Sequence, residues 1–177
     1  MAIETAYFDA AYLFKLLWDE QGSDDVRALA ARCSQLVCAA HGRAEVIAAA
    51  HRKFCEAVAG RDQIATLLDQ FAADCMAGGI AFLPLDDAVF ERLESAFRSA
   101  PATAFLRAAD ALHLACAAEN GFSKVYSNDR HLIAAASIFG LEGVDIAASP
   151  AAPWQVCNPI SFNDAPQLGQ CAVSASN

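Results

Sequence analysis

The sequence predicts a three-layer α/β sandwich, with a central parallel sheet of about five strands and helices on both faces. Three observations carry this. Short segments with aromatic or β-branched residues alternate with helix-length apolar stretches, and parallel strands need such crossovers, which cover both sides of the sheet. Glycines stand where several of the helices would end. Finally, 177 residues with 56% hydrophobic content suit one domain with a closed core.

The elements follow in order. A first strand is expected over Thr5–Phe8, where Thr, Tyr and Phe favour an extended backbone. Asp9 then stands before a helix over Ala10–Trp18, in the position of an N-cap. A helix over Asp24–Ala31 leads to a cysteine-bearing strand over Gln35–Ala39. Two helices, Ala44–Val58 and Asp62–Ala77, are separated by Gly60 and closed by Gly78-Gly79, so they read as a helical hairpin inserted between the second and third strands. The third strand is Ile80–Pro84, and Asp86-Asp87 opens a helix to Arg98 as cap and dipole partner. A helix over Ala102–Glu119 ends at Gly121. The fourth strand, Lys124–Ser127, leads to a helix over His131–Phe139, ended by Gly140, and Val144–Ile146 is the fifth strand. The domain is expected to span residues 1–147. Residues 148–177, with four prolines, several serines and only Asp164 charged, read as a partly disordered tail anchored by Trp154 and Phe162.

Charge and composition narrow the function. A net charge of -9 leaves no overall basic field for nucleic acid or anionic membrane, so a nucleic-acid function must rest on a local site. The seven cysteines are odd in number, form no CxxC pair and sit mostly in apolar segments, which favours a reducing, cytoplasmic setting. No window approaches the ~20 apolar residues that span a bilayer, and the N-terminus has neither the positive start nor the apolar centre of a signal peptide.

Four acids stand out. Asp9 directly follows the first strand, Glu45 follows the second by a short turn into the first turn of its helix, and Asp129 directly follows the fourth. Ligands of open parallel sheets gather beyond such strand ends. Asp110 lies within the apolar pattern of the helix that feeds the fourth strand, where Asp is a poor helix former and a buried, unpaired carboxylate costs several kcal/mol. Each has a bland reading: Asp9 and Asp129 as caps, Glu45 as a dipole partner. Together they would repel unless a cation intervened, and hard divalent ions with oxygen ligands are the natural partners. His113, one turn beyond Asp110, reads more readily as a core histidine than as a ligand, and His41, His51 and His131 show no ligand spacing or matched nucleophile. Arg43, His51, Arg52, Lys53, Arg61, Arg107 and Arg130 are candidates to hold phosphates around the acids, with a solvated helix face as the plainer reading of each.

The stretches YFDAAYLFKLL, AEVIAAAHRK, LRAADALHLACAAENGFSKVYSND and HLIAAASIFGLEGVDI together resemble the PIN-domain nucleases, in particular the VapC-type toxins of toxin-antitoxin pairs. The resemblance covers about residues 1 to 147, and RAADALHLACA followed by a strand and a final acid is its most specific part. It implies a PIN-like sandwich and catalytic, metal-binding roles for Asp9, Glu45, Asp110 and Asp129 toward Mg²⁺ (or Mn²⁺). It further implies endoribonuclease activity on an RNA substrate, a cognate antitoxin protein that covers the site, and a homodimer. The sequence departs from the pattern at Ala10-Ala11, where a hydroxyl residue usually follows the first acid, at His41-Gly42-Arg43 ahead of Glu45, at Asn128, and in its long tail. The first departure motivates an alternative, a catalytically weakened PIN-like module binding RNA or a protein partner. A phospho-receiver domain would also gather acids at strand ends, but the acidic pair after the first strand and the lysine after the fifth are missing.

Overall fold

Side chains alternate between the two faces of the first two strands, and this alternation sets up the three layers. The structure, a computed structural model, describes residues 3–147. In β1 (Ile3–Tyr7) and the residue that extends it, Ala6 and Phe8 enter one core while Tyr7 enters the other. In β2 (Cys33–Ala39), Leu36 and Cys38 join the first core, and Val37 and Ala39 the second. The first core is covered by α1 (Ala10–Leu17), α2 (Ser23–Ala30), α3 (Ala40–Cys55) and α4 (Arg61–Met76), through residues such as Leu13, Val26, Val46 and Phe71. The second lies under α5 (Asp87–Ser99), α6 (Ala108–Glu119) and α7 (Arg130–Ala135), through Val89, Leu114 and Leu132. Helices α3 and α4 are the expected hairpin between the second and third strands.

The sheet is three strands plus two. β1 pairs in parallel with β2, and β2 with β3 (Ile80–Leu83). β4 (Lys124–Tyr126) pairs in parallel with β5 (Glu142–Val144). The two parts meet at one parallel bridge, Phe8 to Tyr126, where the Asp9 N–H donates to the Tyr126 carbonyl at 3.1 Å. A continuous five-stranded ladder is not formed, because β1 turns into α1 immediately after this point. With β2 on one side of β1 and β4 on the other, the strand order reverses at β1, and the crevice at such a reversal is where parallel sheets bind ligands.

Several boundaries differ from the sequence expectation, each for a local reason. α6 starts at Ala108 instead of Ala102, because Pro101 opens a turn closed by Ala104 N–H to the Pro101 carbonyl at 2.8 Å, and the chain stays extended to Arg107. Asp110 is therefore in the first turn of its helix, where a carboxylate favours the dipole. α3 begins at Ala40, straight out of β2, which moves Glu45 into the second turn. The last strand is Glu142–Val144, ahead of the expected Val144–Ile146: Asp145 leaves the ladder to accept the Tyr12 hydroxyl at 2.8 Å, and the Ile146 N–H donates to that hydroxyl at 2.8 Å. Between α3 and α4 the left-handed residue is Ala57 (φ 56°), while Gly60 is extended as the cap of α4. The expected tail, with Trp154 and Phe162, lies outside the described residues.

Candidate active site

Asp9 and Asp129 perform the capping roles that the sequence allows, and each does so with one oxygen only. Asp9 Oδ1 accepts the Tyr12 N–H at 2.9 Å, at the start of α1. Asp129 Oδ1 accepts the His131 N–H at 2.7 Å, at the start of α7. The second oxygens are engaged elsewhere. Ser127 donates its hydroxyl to Asp9 Oδ2, and the same Oγ accepts the Asp129 N–H at 2.8 Å. One fully buried serine at the end of β4 thus ties the acid after β1 to the acid after β4.

Asp110 joins through Arg107. Arg107 Nε donates to Asp110 Oδ2 at 2.7 Å, and its Nη2 donates to Asp129 Oδ2. The Asp110 side chain keeps 13% of its surface exposed, so the carboxylate that looked costly in a helix interior is both paired and partly solvated. The result is an unbroken hydrogen-bonded chain from Asp9 through Ser127, Asp129 and Arg107 to Asp110. Burial works against ionising Asp129, but the Arg107 hydrogen bond and the His131 N–H outweigh it and hold the carboxyl below the usual range. Asp9 goes the other way. It is buried, and desolvation lifts its pKa to about 6 despite the opposing influence of His113, Ser127 and the Tyr12 N–H, with the Glu45 charge lifting it further.

Glu45 stands on the α3 side of these acids and turns its carboxylate toward histidines. Glu45 Oε2 lies 2.8 Å from His113 Nε2 and 3.9 Å from His41 Nε2. His113 is buried, with Nδ1 3.2 Å from the Tyr7 hydroxyl. Burial disfavours the Glu45 carboxylate, but its hydrogen bond to His113 prevails and lowers its pKa. Burial and the neighbouring His113 push His41 below its usual pKa, toward the neutral imidazole. The close approach of α3 depends on Gly42. A Cβ there would stand 2.4 Å from Cys38 Sγ and 3.0 Å from His113 Cε1, so the helix start could not seat against β2 and α6 with any larger residue.

Of the four acids singled out in the sequence, the structure links Asp9, Asp110 and Asp129 through Ser127 and Arg107, and brings Glu45 near enough to Asp9 to influence its ionisation. The link between the two strand-end acids, Ser127, is not among the residues that the sequence singles out, although a hydroxyl two residues before an acid is a recognisable turn signal. His113 is a buried, hydrogen-bonded histidine, as the sequence favours, and His41 stands one turn before Glu45 on the same face of α3. Among the basic residues, Arg107 is at the acids, whereas Lys53 lies near Glu20 and the Trp18 ring, and Arg61 lies over the Phe54 ring.

A parallel α/β sandwich with linked acids at the reversal of its strand order defines a class of domain whose chemistry is organised by carboxylates. The family match agrees: the PIN domain matches residues 6–138, more than half of the chain, and the chain belongs to the PIN domain family. PIN domains are generally metal-dependent nucleases. No curated protein matches the chain. Among the described residues, no helix is long and apolar enough to cross a membrane.

Proposed function

We propose that the chain is a metal-dependent endoribonuclease, the toxin component of a toxin-antitoxin pair, acting in the cytoplasm with Mg²⁺ (or Mn²⁺). The observation that carries this reading is the chain of contacts that joins Asp9, Asp129 and Asp110 at the ends of β1 and β4. These residues suit a divalent ion. Their ligand atoms are carboxylate oxygens, the donors that Mg²⁺ and Mn²⁺ prefer, and Asp110 and Asp129 already share one cationic group, the Arg107 guanidinium. Asp9, Asp110 and Asp129 would hold the ion, with Glu45 binding it directly or through water. When bound, such an ion supplies an activated water and stabilises charge on the phosphoryl oxygens.

The chain's own residues orient and position. Ser127 fixes the rotamers of Asp9 and Asp129 through hydrogen bonds on both sides, the kind of outer contact that sets ligand geometry. The hydrogen bond that a hydroxyl residue directly after Asp9 would offer is thus available from Ser127, so Ala10-Ala11 does not leave Asp9 unsupported. Arg107, with 40% of its side chain exposed, is placed to exchange a carboxylate for an RNA phosphate. The RNA substrate, a cognate antitoxin protein and a homodimer belong to the same reading. The test is cleavage of a labelled structured RNA with Mg²⁺, Mn²⁺ or EDTA, comparing wild type with Asp110→Asn. Metal-dependent cutting that disappears in the folded variant supports the reading. Equal cutting by both proteins, or cutting unaffected by EDTA, refutes it.

A further inference from the structure

Beside the linked acids lies a group of side chains with ligand chemistry of its own. His41, Glu45 and His113 each bring one ligand atom to within 4.8 Å of the others. His41 and Glu45 share a face of α3, and His113 comes across from α6, so the group is fixed by the packing of two helices against β2. Two donors held by one tetrahedral ion at ~2.0–2.1 Å lie about 3.3 Å apart. The observed separations of 2.8 Å and 3.9 Å from Glu45 Oε2 to the two imidazole nitrogens bracket that spacing. The imidazole centroids are 4.2 Å apart.

The surroundings fit ligation as well. His113 presents Nε2 to the group while its Nδ1 meets the Tyr7 hydroxyl at 3.2 Å, and such a second hydrogen bond fixes the tautomer and ring orientation of a metal-bound histidine. His41 Nε2, which stands 3.9 Å from Glu45 Oε2, also lies 3.2 Å from the Ala109 carbonyl, a contact it would give up on ligation, and its Nδ1 is buried with no hydrogen-bond partner among the described residues. Gly42, inside the same turn of α3, is what lets the two histidines stand this close.

We propose that His41, Glu45 and His113 form a seat for a first-row transition-metal cation such as Zn²⁺, which shares Glu45 with the acidic site of Asp9, Asp110 and Asp129 and differs from it by its two imidazoles. Two imidazoles and one carboxylate suit Zn²⁺ or Co²⁺, whereas Mg²⁺ favours an all-oxygen shell. The seat draws on a carboxylate that the nuclease reading also uses, but it is tested separately, because Co²⁺ binding is measured with no RNA present.

The experiment titrates the full chain, stripped of metal with EDTA and then dialysed, with Co²⁺, whose visible d–d bands report nitrogen ligation and geometry. Wild type is expected to bind Co²⁺ stoichiometrically with an imidazole-type spectrum, and to release it to Zn²⁺ but not to Mg²⁺. His41→Asn should weaken that binding by about tenfold or more, while Asp110→Asn leaves the spectrum in place. His41 carries the test because it is less buried than His113, and circular dichroism checks that the variant is folded. A spectrum that persists in His41→Asn and vanishes in Asp110→Asn would place the ion on the acids alone and overturn the proposal. So would the absence of stoichiometric Co²⁺ binding. RNA cleavage can fail while Co²⁺ still binds, so the two readings fall separately.

Discussion

Replacing Asp9 by Asn should stabilise the metal-free protein at neutral pH, by an amount that grows as the pH rises. Asp9 is buried, and its pKa is raised from 3.8 to about 6, with desolvation as the chief cause. The folded protein therefore holds this proton more tightly than the unfolded chain does. The contribution is fully present below the unfolded pKa and is lost as pH rises through about 6. Ionising the group in the fold costs about 3 kcal/mol by pH 7.5, of which about half is already felt at pH 5. Asn carries no charge, and its amide oxygen keeps the acceptor for the Tyr12 N–H. Its NH₂ meets Ser127 where Oδ2 accepted a hydrogen bond, a change worth about 1 kcal/mol that does not depend on pH. The decisive quantity is thus the difference between wild type and Asp9→Asn at two pH values. Urea unfolding in EDTA should show the variant's relative stability increasing by roughly 1–2 kcal/mol between pH 5 and pH 7.5. A gap that stays flat, or one that moves in favour of the aspartate as pH rises, would refute the desolvation argument.

Other outcomes follow from single contacts. Gly42→Ala should destabilise the fold by about 1–3 kcal/mol through overpacking, because the new methyl meets Cys38 Sγ and His113; denaturant titration checks this, and adding Cys38→Ala should recover part of the loss. Ser127→Ala removes the donor to Asp9 and the acceptor of the Asp129 N–H, and should lower Mn²⁺ affinity by about 10- to 100-fold in a calorimetric titration. Arg107→Gln removes the cation that competes for Asp110 and Asp129; Mg²⁺ affinity should rise, while stability changes by less than about 1 kcal/mol because the arginine is substantially exposed.

Much of the fold was legible because it rests on local signals. The order of strands and helices, the hairpin of α3 and α4, and the acids at the ends of β1 and β4 all follow from apolar patterning and from turn residues that act within a few positions. The start of α6 was misjudged because an apolar run continues through Phe105 and Leu106 even though Pro101 and its turn hold the backbone out of the helix. Phe105 is 66% exposed, in the extended segment that precedes the helix. The shifted start moves Asp110 as well, from the helix interior that the apolar pattern suggests to the first turn beside Arg107.

By itself the sequence determined which residue types stand at which strand ends, since strand-then-acid is a matter of neighbours in the chain. It also determined that Asp9 and Asp129 could cap the helices that follow them, because a cap reaches only three residues. It did not determine what the other carboxylate oxygen of each would meet. Ser127 lies 118 positions from Asp9, and His113 lies 68 from Glu45. Those pairings depend on β1 having β2 on one side and β4 on the other, and on α6 packing under Tyr7 while α3 leaves β2 with a glycine in its first turn. Only the tertiary structure fixes them, because hydrogen bonds act over about 3 Å in space and have no reach along the sequence.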